Sequence, residues 1–309
     1  MKKTLVALAA LAVVGAASAQ SSVTLYGVAD VSLYDSDAPG VTAQMSSSSS
    51  SMNNGNSRFG FRGTEDLGGG LKVSFQMEGS VNSETGAGNG SGGNLFSRAA
   101  NLSVSGGFGT FLMGRTLTPS FFGAAAWELT GFANYSAVAN QFGGGAIPGV
   151  FRNSSQFTYT TPNMGGFTGS LGIVTDGDSV AAKGKTDANV VYAAGPLAVG
   201  FSYNKVDGSS AGNALGASYN FGVATVAASL QNPSGKGKGW TLGATVPMGA
   251  ASVTLDFARD TDFSDTDYVL EAKYPLSKRT FVYGAYLRDG RGKTVADVNS
   301  FGIGIRHGF

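Results

Sequence analysis

Acid–base and nucleophilic chemistry has little to work with in this chain. Its 309 residues include one histidine and no cysteine, which removes thiolate chemistry and leaves most metal sites and imidazole catalysts without their usual groups. His307 lies two residues from the end, and no nucleophile or orienting group is spaced to work with it, so a hydrolase finds no catalytic set. The charges follow another pattern. Arg58 and Arg62 alternate with Phe59, Phe61 and Gly63; Lys72 and Glu78 alternate with Leu71, Val73, Phe75 and Met77; Asp30 keeps company with Thr24, Tyr26 and Ser32, opposite Val23, Leu25, Val31 and Leu33. Such residues suit one wetted face of a strand whose other face meets something apolar.

The elements that must carry these residues are strands. Residues 1–19 have two lysines, an apolar run and the small-residue tripeptide Ala17-Ser18-Ala19, and are expected to be a cleaved signal peptide. The run is shorter than the ~20 residues of a helical span. Removal of Lys2 and Lys3 takes the formal net charge from +1 to −1, which gives no bulk attraction to nucleic acid. Gly supplies 48 residues, about twice the usual share, and aromatics 11%; disordered Gly-rich chains lack those aromatics. The remaining sequence, 20–309, breaks into segments of roughly 8 to 12 alternating residues. Short turns such as "DLGGG" (66–70), "GGFGT" (106–110) and "PLSKR" (275–279) interleave with longer polar loops.

A soluble β-sandwich also alternates. Short connections on one side and long ones on the other, with about 16 strands, instead predict an all-β transmembrane antiparallel barrel with an aqueous lumen. In lipid only a closed barrel satisfies every backbone group, so the first and last strands must pair. The terminal stretch "FGIGIRHGF" then places Phe301, Ile303, Ile305, His307 and Phe309 on the membrane face and Arg306 inward. One connection is anomalous: residues 116–150 are rich in aromatics and carry a single charge, Glu128. Exposed, that segment would be a liability, so it is expected to fold inward against the wall. The run "MSSSSSSMNNGNS" (45–57) reads as a flexible external loop.

The blocks "SSVTLYGVAD", "SRFGFRGTEDLGGGLK", "FGTFLMGR", "FRNSSQFTYTTP" and "GIRHGF" resemble the Gram-negative general porins, especially their β-proteobacterial branch. The resemblance implies an outer-membrane homotrimer of 16-stranded barrels, each narrowed by its third long loop, without cofactor or metal. It also implies basic wall residues facing acidic loop residues. By motif, Arg58 and Arg152 match wall arginines, Arg62 shares a face with Arg58, and Arg152 shares parity with Gln156 and Thr158. Arg98 of "FSRAA" matches by motif, but its parity goes with Leu102 and Val104 unless a bulge intervenes. Glu128 is the only carboxylate the loop offers. Asp30, Lys72 and Glu78 are candidate lumen charges. Arg115, on the face of Phe111 and Met113, is read as a trimer-interface residue. Phe309 is expected to be part of the signal read by the barrel-assembly machinery.

Arginines opposite one acid in a narrow pore favour anions, so the expected function is passive diffusion of small hydrophilic solutes and ions with a weak to moderate anion preference. A substrate-specific sugar or phosphate channel would call for a lumenal aromatic ladder or a lysine-rich inner loop; 116–150 contains no lysine. A structural barrel or adhesin stays open at this level, separable by single-channel conductance.

Overall fold

In the computed structural model, residues 22–47, 52–88, 94–143, 151–178, 183–235, 237–290 and 296–309 are described; the expected signal peptide lies outside them. The strands are β1 (Ser22–Ser36), β2 (Gln44–Ser46), β3 (Arg58–Gly68), β4 (Leu71–Ser80), β5 (Ala99–Gly106), β6 (Gly109–Leu117), β7 (Arg152–Thr160), β8 (Phe167–Val174), β9 (Lys185–Ala194), β10 (Leu197–Val206), β11 (Gly212–Asn220), β12 (Thr225–Asn232), β13 (Gly239–Met248), β14 (Ala251–Asp260), β15 (Asp265–Pro275), β16 (Thr280–Asp289) and β17 (Val298–Gly308). Sixteen of them close an antiparallel barrel, each paired with its neighbours in sequence; the three-residue β2 is a side pairing on the upper half of β1.

Closure falls on β1, whose two halves use different neighbours. Ser22 to Val28 pair with Thr64 to Arg58 of β3, and Val28 to Ser36 pair with Gly308 to Ser300 of β17. The last residue is inside this ladder: Gly27 and Phe309 exchange both backbone hydrogen bonds at 3.1 Å. Among the described residues no edge strand remains between β1 and β17, as a hydrocarbon environment demands.

The inside-out pattern explains why the sequence chooses strands. Leu25, Leu33, Leu102, Met113 and Ile303 stay about half exposed on the outer face, whereas Asp30, Ser32, Gln156 and Ser202 are fully or almost fully buried toward the lumen. Aromatic contacts mark both rims. Phe111–Tyr159, Phe167–Tyr192 and Tyr219–Phe221 lie near the short turns, with ring centroids 4.6–4.8 Å apart; Phe257–Tyr268 and Tyr268–Tyr286 lie toward the long loops. Two such girdles are the interfacial signature of an outer-membrane barrel.

The long segment after β6 enters the barrel. It holds two short helices, α1 (Pro119–Ala125) and α2 (Ala137–Phe142). Thr118 and Ser136 start them by accepting the Phe121 and Ala139 N–H groups, and Gly143 ends α2 at φ 66°. α1 lies on β9 and β10, and α2 on β14 and β15. The wall makes room with glycine: a Cβ on Gly200 would stand 1.9 Å from the Gly123 carbonyl oxygen, and one on Gly216 would stand 2.3 Å from the Trp127 ring. The main apolar core is therefore the seam where Ala133, Tyr135, Ala137 and Phe142 meet Ala258, Val269, Tyr283 and Leu287.

Polar anchors fix the loop to the wall. Asp187 accepts the Ser120 N–H and Oγ–H, Asn189 donates to the Pro119 carbonyl, and Asp267 accepts from Asn140. Tyr135 donates to Glu271 at 2.7 Å while accepting from Asn54 at 2.9 Å. Burial and the Glu271 carboxylate push the Tyr135 phenol well above its ordinary pKa, so it remains a donor. The loop is thus held at both helices and between them.

Candidate functional site

Three of the predicted arginines converge on one cavity of about 450 Å³ between the loop and the wall formed by β3 to β7. Arg58 opens β3 on its inward face, 3.6 Å from the Glu78 carboxylate of β4. Arg98 reaches the same carboxylate at 2.6 Å. It points inward although its parity says otherwise, because both Arg98 and Ala99 oppose Glu78: the Arg98 N–H donates to the Glu78 carbonyl, and Ala99 holds the paired position. Two residues facing one is the geometry of a bulge. Arg152, the first residue of β7, crosses to donate Nε–H to the Arg98 carbonyl at 2.9 Å.

Arg306 joins them from β17, donating to Asn54 at 3.0 Å and lying 3.7 Å from Asp30. Alternation pointed it inward, but nothing in the sequence gave its height along the pore. The loop side of the cavity is neutral: Asn134, Asn140, Phe121 and Phe132, with Phe151 at the loop's return.

Glu128 is not among the lining residues. Its carboxylate is turned into the loop, where it accepts Thr130 Oγ1–H at 2.5 Å, Ser136 Oγ–H at 2.7 Å and the Phe132 N–H at 2.7 Å. The expectation that it faces the arginines is corrected. A lone carboxylate followed by "LTGF" and a serine finds donors within its own turn, and that turn then needs it as an anchor. Its hydrogen bond holds Phe132 at φ 53°, a left-handed conformation a phenylalanine rarely adopts.

The other candidates are dispersed. Arg62 does face the lumen but sits in a separate cavity of about 340 Å³ toward the short turns, stacked 4.9 Å from the centre of the Tyr26 ring. Lys72 is exposed at the same end. Asp30 is fully buried, accepting from Tyr283 at 2.6 Å and from Asn53. Arg115 is on the outer face, held by the Ser97 carbonyl and by Ser154 Oγ at 2.8 Å. His307 pairs with Thr280 at the short-turn rim.

Two further readings change. Residues 52–57 do not form a free external loop: Met52, Asn53, Asn54 and Ser57 are buried in the lumen, where Asn54 bonds Tyr135 and Ser57 bonds the Asp30 backbone. Residues 48–51 of that run lie outside the described residues. The shared parity of Arg152 and Gln156 is not continuous either, because a register shift opposite Ser154 and Ser155 (φ 50°) turns both Asn153 and Gln156 inward.

A closed sixteen-strand barrel, apolar outside, wetted inside and narrowed by an inward loop, is a transmembrane channel. The comparisons make the class specific. The model of the Gram-negative porin family matches residues 4–294. The outer membrane porin protein 32 of Delftia acidovorans is 35% identical, covering 96% of this chain and 92% of its own. An outer membrane porin of Bordetella pertussis is 30% identical over the full length of both. A solved anion-selective porin from Comamonas acidovorans superposes with a TM-score of 0.77 at 30% identity, covering 94% of this chain and all of its own. A Vibrio cholerae outer-membrane protein, 15% identical with a TM-score of 0.68 over 94% and 98% of the two chains, shares the fold. This chain belongs to the Gram-negative porin family and is an outer-membrane channel for passive passage of small hydrophilic solutes and ions.

Proposed function

We propose that this porin prefers anions, that its constriction is the cavity of Arg58, Arg98, Arg152 and Arg306, and that it works as a homotrimer. The observation that carries the reading is the local charge count. Among the described residues, four guanidiniums surround the cavity, against two buried carboxylates, Glu78 and Asp30, each already paired with one or two of them. Even with both acids ionised, a surplus of two positive charges faces a neutral loop. In a narrow pore with low-dielectric walls, that surplus raises the local concentration of anions and lowers that of cations. The anion selectivity named for the Comamonas acidovorans neighbour supports the same direction.

Arg62, with Lys72 beyond it, continues the positive lining toward the short-turn mouth. Arg115, an arginine on the outer face among Leu102, Phe111 and Met113, fits a subunit contact better than lipid, where a charge is costly. Phe309 combines strand closure with a role in recognition by the assembly machinery.

The test is the reversal potential of purified channels in planar bilayers under a KCl gradient, for the wild type and for Arg58→Ala and Arg152→Ala. Each substitution should lower the anion preference, and the double substitution should lower it further. Anion selectivity that survives both would place the constriction elsewhere. Mass measurement in mild detergent should give trimers; monomers would count against the assembly.

A further inference from the structure

We propose that the arginine cavity is a transient binding site for aromatic carboxylates, organic anions carrying a flat apolar ring beside the charge. The proposal rests on the anion-preferring constriction argued above and names its solute class.

The cavity has two chemically different sides. On one stand Arg58, Arg98 and Arg152; on the other, three phenyl rings form a platform. Phe121 and Phe132 have ring centroids 4.9 Å apart, Phe121 and Phe151 5.5 Å, and Phe132 and Phe151 5.9 Å. All three are only partly buried and line the cavity together with the arginines. A wall that sorted solutes by size and charge alone would gain nothing from apolar rings against channel water. Polar residues there would be better solvated, and 116–150 is rich enough in Ser, Thr and Asn to have supplied them.

The platform is also built at a cost. Phe132 keeps its left-handed backbone through the Glu128 hydrogen bond at 2.7 Å, and that carboxylate is itself fixed by Thr130 and Ser136. Strain of this kind persists where surrounding structure over-determines it, and it marks places where side-chain direction matters. Here the direction is that of a ring forming one wall of the pore.

An aromatic carboxylate satisfies both sides at once. Its carboxylate accepts charge-assisted hydrogen bonds from the guanidiniums, while its ring covers the Phe platform and displaces water from it. A volume of about 450 Å³ leaves room for a one-ring acid and accompanying water. Chloride or acetate engages the arginines and leaves the rings wet. Residence is brief, because the cavity is open to the lumen.

The experiment adds sodium benzoate or sodium acetate, at matched concentrations, to one side of a bilayer containing the full-length porin and records the chloride current. Benzoate should reduce the current at a concentration about five- to tenfold lower than acetate, the advantage expected from covering roughly one ring face. Phe132→Gly removes the ring while accepting φ 53° without strain, and should bring the two acids within about twofold of one another. Phe151→Ser, outside the Glu128 turn, provides the same test if Phe132→Gly assembles poorly. Equal block by both acids in the wild type, or a benzoate advantage that persists in these variants, overturns the proposal. Reversal potentials in KCl on the same channels separate the causes: anion selectivity with equal block refutes only the aromatic site, whereas its absence refutes the constriction reading and this proposal with it.

Discussion

Glu78→Gln should increase anion preference, and the size of the change follows from the geometry. Glu78 bridges Arg58 at 3.6 Å and Arg98 at 2.6 Å, behind the cavity those arginines line. A sphere of about 450 Å³ has a radius of roughly 5 Å, which places an ion at its centre about 7 Å from the carboxylate. At that distance a unit charge contributes ~0.6 kcal/mol in fully watery surroundings and ~2.4 kcal/mol at an effective dielectric constant of about 20. Screening with a Debye length of ~10 Å halves both. The watery limit leaves ~0.3 kcal/mol, favourable for an anion and unfavourable for a cation once the acid is neutralised. The two act together in the permeability ratio, which should rise about threefold or more.

The assay is the reversal potential under a KCl gradient, with Glu78→Gln and wild type reconstituted in the same lipid. The amide keeps the shape of the side chain and can still accept from one guanidinium, which limits rearrangement of Arg58 and Arg98. A comparison with Glu128→Gln sharpens the outcome, because the sequence points to Glu128 as the acid near the arginines, whereas Glu78 is the carboxylate found paired with Arg58 and Arg98. The reasoning is refuted by an unchanged or lowered anion preference in Glu78→Gln, or by a larger change in Glu128→Gln.

Glu128→Gln should leave selectivity within error and instead weaken the loop by about 1–3 kcal/mol, since its carboxylate serves three donors that one amide oxygen cannot; thermal unfolding in detergent would register a lower midpoint. Gly216→Leu should push Trp127 off the wall, because even a Cβ would lie 2.3 Å from that ring, and the displaced loop should show as altered conductance and a shifted size cut-off in liposome swelling with sugars. Deleting Phe309 removes both hydrogen bonds to Gly27, so the yield of assembled porin in the outer membrane should fall by more than the conductance of the channels that do assemble; equal losses would contradict the division between assembly and pore.

The barrel was legible because its cause is local. Alternation at Val23 to Leu33 or Phe59 to Gly63 expresses a two-sided environment directly, and the last strand announced itself by alternating up to Phe309. The inward fold of 116–150 was legible for a similar reason, since so much apolar surface needed a wall. The site was less so. Periodicity tells which face a residue is on and nothing about its height or about breaks in the ladder. Arg62 and Arg58 share a face yet occupy different cavities; Arg98 faces inward only because a bulge spends an extra residue opposite Glu78. Arg306 was on the correct face and lacked only a height. For the Ser-Asn run, composition suggested flexibility, but Asn53, Asn54 and Ser57 find partners on Asp30 and Tyr135 that are remote in sequence.

Glu128, the loop's one charge, is bonded within the loop, while the guanidiniums of the proposed constriction come from the wall: Arg58, Arg152 and Arg306 from strands and Arg98 from the turn before β5. Helix α1 is tied to Asp187 and Asn189, the middle of the loop to Glu271 and Asn54, and helix α2 to Asp267. A segment fixed at so many points narrows the lumen, and its partly buried phenyl rings contribute apolar contact instead of field. On the proposed reading, selection by charge and selection by contact fall on opposite sides of one cavity. Substitutions on the strands should move the reversal potential, and substitutions of the rings should move the ranking among organic anions of equal charge.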